Sequence, residues 1–478
     1  MLKSLARWIS NRRAARAAKH GDLKTAERLW AAAIATGDNS PETHRRLREL
    51  YLQMGDYERA GVEAYLNLGK AHIASGHLDA AQASLEAALA AWPAEPRILC
   101  HLGEVKGMQG DLDRAIAYFA KALEAAPDFA PALADMGLVM QKKRRLPEAV
   151  TWLSEAIRID PTNINAWLTL GAVYRQLGRT EAAVLHQEQA LAQFPDDPRF
   201  LSGLGACHAD NGSYALAETC FDRALAAAPD FVEARLNRSF IYLTKGDYRL
   251  GFAEYESRLQ KTELRQLVAG NRAPAWRGEP LAGKKIVLLA EQGFGDSIQF
   301  IRFAADLANR GATVYAEAGP PLRRLLAAAD GVSSRSDDVE NDCRADFCCP
   351  LMSLPHRLGV TLDTLPAATP YFRPRDADVE RWQGKLRDCK ALKVGIAWAS
   401  DPDNWISIAK SIALNRLLPV LAAREISFFS LQVGPGGEQL RELPATIDIA
   451  DPTGELTDFY ETACLIANLD LVIAIDAG

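Results

Sequence analysis

Pro93, Pro127, Pro161, Pro195 and Pro229 stand 34 residues apart. A chain punctuated at a fixed short interval is built from a repeated supersecondary unit and not from one folded core. Two glycine rows keep the same interval: Gly69, Gly103, Gly137, Gly171 and Gly205, and then Gly76, Gly110, Gly178, Gly212 and Gly246, with Arg144 where the second row expects a glycine. Gly21 and Gly55 share the period. The first row lets the two helices of a hairpin approach closely, the second turns the chain between them, and the proline stops the second helix. Five residues after each turn comes a small side chain, at Ala26, Ala60, Ala81, Ala115, Ala149, Ala183, Ala217 and Gly251. A bulky group there would hold the paired helices apart. From Gly55 to Gly76 the step is only 21 residues, so a fused or kinked helix is expected around Ala60 to Ala64.

This register resembles the tetratricopeptide repeat family, most plainly in Trp167-Leu168-Thr169-Leu170-Gly171-Ala172-Val173-Tyr174 and in the Ala115 to Phe119 and Ala217 to Phe221 spacings. The resemblance implies an α-solenoid over residues 1–260, with a groove that holds a protein or peptide partner.

Composition narrows the partners. The net charge of -6 comes from interspersed acidic and basic residues, 24% of the chain in all, which excludes the basic surface that nucleic acid requires. No stretch reaches the roughly 18 apolar residues of a membrane span, and Met1 to Arg16 reads as a first solenoid helix, not a signal peptide. A cytoplasmic protein is expected. Cys100, Cys207, Cys220, Cys343, Cys348, Cys349, Cys389 and Cys464 lack the paired spacing of a zinc site and read as reduced core thiols.

After Tyr248 the glycine period stops. Residues 261–282 read as a linker, with Trp276-Arg277-Gly278-Glu279-Pro280 as a turn-rich junction. Ile286 to Ala290 is a short apolar run of the buried parallel-strand kind, followed by a glycine turn and an amphipathic helix from Ser297 to Asn309. Further strands are expected at Thr313 to Ala316, Asp346 to Cys349, Lys393 to Trp398, Ser427 to Val433, Thr446 to Ile449 and Leu471 to Ile475, with helices at Leu414 to Arg424 and Thr457 to Asn468. The fold class is an α-solenoid followed by α/β, in two doubly wound Rossmann-like lobes over 283–376 and 377–478, with ligands expected at the strands' carboxyl ends.

Gly293-Phe294-Gly295-Asp296 lacks the third glycine of a dinucleotide fingerprint, because Ile298 stands there. Position alone favours Asp296 as a helix cap over a carboxylate projecting into a cleft. The stretch Glu291 to Phe300, however, is similar to the first-lobe loop of tetratricopeptide proteins that carry a heptosyltransferase-like, O-GlcNAc-transferase-like glycosyltransferase domain of the GT-B class. Val394 to Trp398, Lys410-Ser411-Ile412 and Leu469 to Asp476 resemble its second-lobe motifs.

That resemblance implies transfer of a sugar from a nucleotide-diphosphate sugar to a protein acceptor recruited by the solenoid. Asp296 would be the catalytic base, and Gly293, Gly295, Ser400, Lys410, Ser411 and Asp476 would hold the sugar nucleotide. No metal or cofactor is implied. Departures from the pattern are Ala477 in place of a threonine, an apolar Asn404 to Ser407 stretch, and four second-lobe strands where such lobes commonly carry five or six. The second lobe is therefore expected to be incomplete, as if C-terminally truncated. The alternative reading is a non-catalytic tetratricopeptide scaffold with a degenerate or truncated transferase domain.

Overall fold

The computed structural model describes residues 13–475 apart from 21, 36–45, 48, 52, 55, 56, 272, 334–344, 387, 388, 390, 391, 401–409 and 424. It divides into two compact units, Met1–Pro229 and Asp230–Gly478.

The first unit is helical. After Leu23–Ala35 come α1 (Tyr57–Ala74), α2 (Leu78–Ala91), α3 (Pro96–Met108), α4 (Leu112–Ala125), α5 (Ala130–Lys142), α6 (Leu146–Ile159), α7 (Ile164–Gln176), α8 (Thr180–Gln193), α9 (Pro198–Asp210) and α10 (Tyr214–Ala227). Helix α1 runs unbroken through Ala60 to Ala64. Both glycine rows have physical causes. A Cβ on Gly137 would lie 2.5 Å from Leu153, and one on Gly205 would lie 2.6 Å from the Phe221 ring, so each hairpin closes over a missing side chain. At the turns Gly110 has φ of 84° and Gly212 has φ of 72°, and Arg144 is held in the same left-handed region at 62°. Ala26, Ala81, Ala115, Ala149, Ala183 and Ala217 are all fully buried. Gly21, Gly55 and residues 1–12 of the expected first helix lie outside the described residues.

The second unit opens with one more hairpin in the same period, α11 (Val232–Thr244) and α12 (Tyr248–Tyr255), then a 3-10 turn at Glu256–Gln260 and a helix at Thr262–Gly270. Two all-parallel sheets follow. The first takes β1 (Lys285–Leu289), β2 (Thr313–Glu317) and β3 (Phe347–Pro350) in the order β2-β1-β3, with Lys285 opposite Thr313 and Ile286 opposite Phe347. The second takes β4 (Leu392–Ala397), β5 (Ile426–Ser430), β6 (Ile449–Ala450) and β7 (Leu471–Ala474) in the order β6-β5-β4-β7, with Val394 opposite Leu471 and Phe428. Between strands lie α13 (Phe294–Phe300), α14 (Pro320–Ala327) and α15 (Phe459–Ile466). The expected helix at Leu414 to Arg424 is a 3-10 turn (Leu414–Leu417) and one α-turn (Leu418–Leu421), interrupted at Pro419. Ile286, Leu288, Ile301, Leu326, Cys349, Trp382, Cys464 and Leu465 share one core, which draws on elements beside both sheets.

Candidate functional site

Two loops at strand ends hold the residues that sequence reasoning singled out. The first follows β1. Glu291 turns inward and is 4% exposed. Its carboxylate accepts from Arg258 Nη2 at 2.7 Å, from Arg258 Nε at 3.1 Å and from the Met352 backbone N–H at 3.0 Å. Arg258, itself 1% exposed, also donates to Glu256 at 2.8 Å and to the Ser353 hydroxyl at 2.9 Å. Arg357 closes the network on the other oxygen of Glu256 at 2.9 Å. A buried guanidinium and carboxylate each cost several kcal/mol in lost hydration, and they persist only when their hydrogen bonds are satisfied, as here.

That network sets the next residues. Gln292 adopts φ of 59°, and its Oε1 accepts from the Tyr255 hydroxyl at 2.9 Å. Gly293 precedes α13 in extended conformation. Asp296 is half-buried, and its Oδ2 accepts a long bond from the Gly293 N–H at 3.4 Å, the cap that position alone favours. Its Oδ1 carries no hydrogen bond among the described residues. Phe294, exposed on the same loop, meets the ring of Phe459 at 5.2 Å, so the first sheet's loop touches the helix that precedes β7.

The second loop follows β4. Buried Gln432 is its organiser: Oε1 accepts from the Trp398 and Ala399 backbone N–H groups at 3.0 and 2.8 Å, while Nε2 donates to the carbonyls of Ala399 and Pro435 at 3.0 and 2.9 Å. The Ser400 N–H donates to Ser411 Oγ at 3.0 Å, which joins two of the expected sugar-nucleotide residues. Lys410 is exposed beside them. Asp476, Ala477 and the Asn404 to Ser407 stretch lie outside the described residues. A recess of about 160 Å³ lined by Trp30, Arg46, Glu49 and Leu50 belongs to the solenoid and to neither loop.

Elements beside the two sheets are clasped through Glu461 on α15. It accepts from Trp382 Nε1 at 2.9 Å, from Arg381 at 2.6 Å and from Arg324 on α14 at 3.1 Å. Burial works against the charged form of Glu461, but these donors outweigh it and hold the carboxyl below the usual range. Sequence reasoning assigned no part to Arg258, Tyr255, Gln432 or Glu461. Their partners Ser353, Gln292, Trp398 and Trp382 lie 34 to 95 residues away in the chain, too far for any local spacing to show them.

Comparison with known proteins agrees with the helix stack. The family model described as Cilia and flagella-associated protein 70 C-terminal domain matches residues 14–247. Protein FlbA of Caulobacter vibrioides is 26% identical over 262 residues, 49% of this chain and 44% of that protein, so the chain spans less than half the length of this relative. Among solved structures, the pilF protein of Pseudomonas aeruginosa is 19% identical over 45% of this chain and 99% of its own, with a TM-score of 0.38. A tetratricopeptide protein of Thermus thermophilus is 25% identical over 38% of this chain and 99% of its own, with a TM-score of 0.33. No helix among the described residues is long and apolar enough to cross a membrane. The 34-residue hairpins and the family match over 14–247 make the N-terminal half of this chain a tetratricopeptide solenoid.

Proposed function

We propose that the chain is a scaffold that binds a protein or peptide along the first helices of its hairpins. One observation carries this reading. At the register positions two before and one after the close-packed glycine, the first helices run from Asn67, Lys70, His101, Glu104, Asp135 and Leu138 to Thr169, Ala172, Gly203 and Ala206. Most of these residues are half-buried, with Leu138 exposed and Ala206 buried. The row is charged at one end and small and neutral at the other, which suits an extended segment with a polar and an apolar portion. Selection of binding peptides from a random library against the full chain tests it. Thr169→Arg, which fills the small end, is expected to weaken the selected peptide at least about ten-fold, the effect of losing ~1.4 kcal/mol of contact. Peptide binding unchanged by Thr169→Arg and Lys70→Ala together would overturn the reading.

A second reading, glycosyl transfer from a nucleotide-diphosphate sugar to a protein acceptor, is favoured by the Arg258–Glu291 network, a costly device for bracing an ordinary loop. In this reading Asp296 takes the acceptor proton. Gly293, Gly295, Ser400, Lys410, Ser411 and Asp476 contact the sugar nucleotide. Thermal-shift measurements with UDP-, GDP- and ADP-sugars decide it: stabilisation by one donor, lost in Lys410→Ala and kept in Asp296→Asn, is expected. Failure of every donor to raise the unfolding temperature sinks it.

A further inference from the structure

Within the solenoid, Cys100, Glu104 and Asp135 place one ligand atom each within 4.8 Å of one another. Cys100 and Glu104 lie four residues apart on α3 and so share a face, and Asp135 faces them from α5. The thiol, 2% exposed, donates to Asp135 Oδ2 at 3.2 Å, about the ~3.5 Å spacing of two ligand atoms on a tetrahedral zinc ion. His101 Nδ1 lies 2.8 Å from Glu104 Oε2, which fixes that carboxylate as an outer partner fixes a ligand.

Repeat packing does not ask for these residues. In the 34-residue register Cys100 answers to Leu66, Ala134, Leu168 and Ser202, and Asp135 answers to Asn67, His101, Thr169 and Gly203. None of those positions carries a thiol or a carboxylate. The surrounding charge is also lopsided. The acidic groups of Glu63, Glu104 and Asp135 lie about two basic side chains, Lys70 and Arg97, and burial works against the charge on Lys70. Arg97 is already engaged by Glu63 and by Glu95 at 2.7 Å.

We infer that Cys100, Glu104 and Asp135 form a binding site for a divalent cation of the zinc class, with His101 as a positioning residue. A thiolate ligand favours Zn²⁺ or Co²⁺ over Mg²⁺ and Ca²⁺, which take oxygen alone. On binding, the S–H proton of Cys100 leaves to solvent and an S–metal bond replaces it; the two carboxylates then bring the site to one net negative charge, with the Lys70 ammonium near Glu104 to offset it. Water completes the tetrahedron. The site shares His101, Glu104 and Asp135 with the polar end of the peptide row proposed above, and a titration with metal alone reads it without any peptide.

The experiment is a titration of the full chain, stripped with a chelator, with Co²⁺ and then Zn²⁺. One equivalent of Co²⁺ is expected to give a thiolate-to-metal band in the near ultraviolet, bleached when Zn²⁺ displaces it. Cys100→Ser is expected to abolish the band, and Cys207→Ser, which removes a buried thiol elsewhere, to keep it. His101→Ala is expected to weaken Zn²⁺ about ten- to a hundred-fold, the range for losing an outer-shell partner, and Asp135→Asn and Glu104→Gln by more. The two isosteric changes leave the helix packing intact, so they decide the matter should Cys100→Ser not fold. No band in the unaltered protein, a band that survives Cys100→Ser, or Zn²⁺ affinity unchanged in both Asp135→Asn and Glu104→Gln would overturn the inference.

Discussion

The two units of this chain hold their turns in place by opposite means. In the solenoid, geometry comes from what is missing: glycines over which Leu153 and Phe221 close, and alanines with no exposed surface between paired helices. In the α/β unit it comes from what is buried at a cost: Arg258 against Glu291, Gln432 against four backbone groups, Glu461 against Trp382 and two arginines. Steric devices repeat along a chain and tolerate exchange of one repeat for another. Polar devices are unique, and each fails as a whole when one partner is removed.

The largest expected effect follows from that asymmetry. Glu291→Ala takes from the Arg258 guanidinium, 1% exposed, its fully buried carboxylate and leaves it with Glu256 and Ser353, a loss of about 3 kcal/mol. The loss should fall on the second unit alone, so urea unfolding followed by tryptophan fluorescence and far-UV circular dichroism should separate into two transitions, the later one keeping the solenoid's helical signal. Replacing both partners, Arg258→Met with Glu291→Leu, should recover most of the loss. A single transition shifted equally by both signals would break the comparison.

A smaller effect is expected from Gly205→Ala in the solenoid. The added methyl lies 2.6 Å from the Phe221 ring, and overpacking of this kind costs about 1 to 3 kcal/mol. Because the cost is purely steric, shortening the facing side chain with Phe221→Leu should make the double variant less unstable than the two single losses added together. Additive losses in chemical denaturation would show that the hairpin is not closed by that contact.

These two cases also show how far the sequence could be read. The glycine, alanine and proline rows were legible because one steric demand recurs every 34 residues, and repetition separates it from chance. The strands of the second unit were legible as short apolar runs, since a parallel strand is covered on both faces. Strand ends were not. The run Ser427 to Val433 reads as one strand, yet β5 stops at Ser430 because Gln432 turns away to bind Trp398 and Ala399. The Asp296 loop was legible as a motif. Its bracing was not, because Arg258 sits 33 residues before Glu291, in a stretch that reads as the tail of the solenoid.

Acid should find the α/β unit first. The folded state holds Glu461 below its ordinary range, so its bonds add stability in full above the unfolded carboxyl value and lose it as pH falls through the lower folded value. Glu461→Gln should therefore lower the second unit's unfolding temperature at neutral pH, and the gap from the unaltered protein should narrow as pH falls below about 4. Arg324 and Arg381 are partly exposed, and solvent screening keeps their share modest. A gap that stays constant from neutral to acid pH would remove Glu461 from the set of polar devices.

The smallest effect, and the only one of opposite sign, is at Arg144. Every other turn in its row is a glycine with positive φ, between 67° and 84°. Arg144 is forced to 62° by the hairpin it closes, a region that costs a side-chain-bearing residue about 1 kcal/mol or more. Arg144→Gly removes that strain, while the looser unfolded chain gives back part of the gain. The net should be a stabilisation of a few tenths to about 1 kcal/mol, read as a higher urea midpoint with unchanged slope. Arg144 is exposed and takes no part in the core, so the gain comes from the backbone alone. If instead the variant is less stable, the turn is held by the arginine side chain, and the solenoid too depends on a contact that its repeat does not encode.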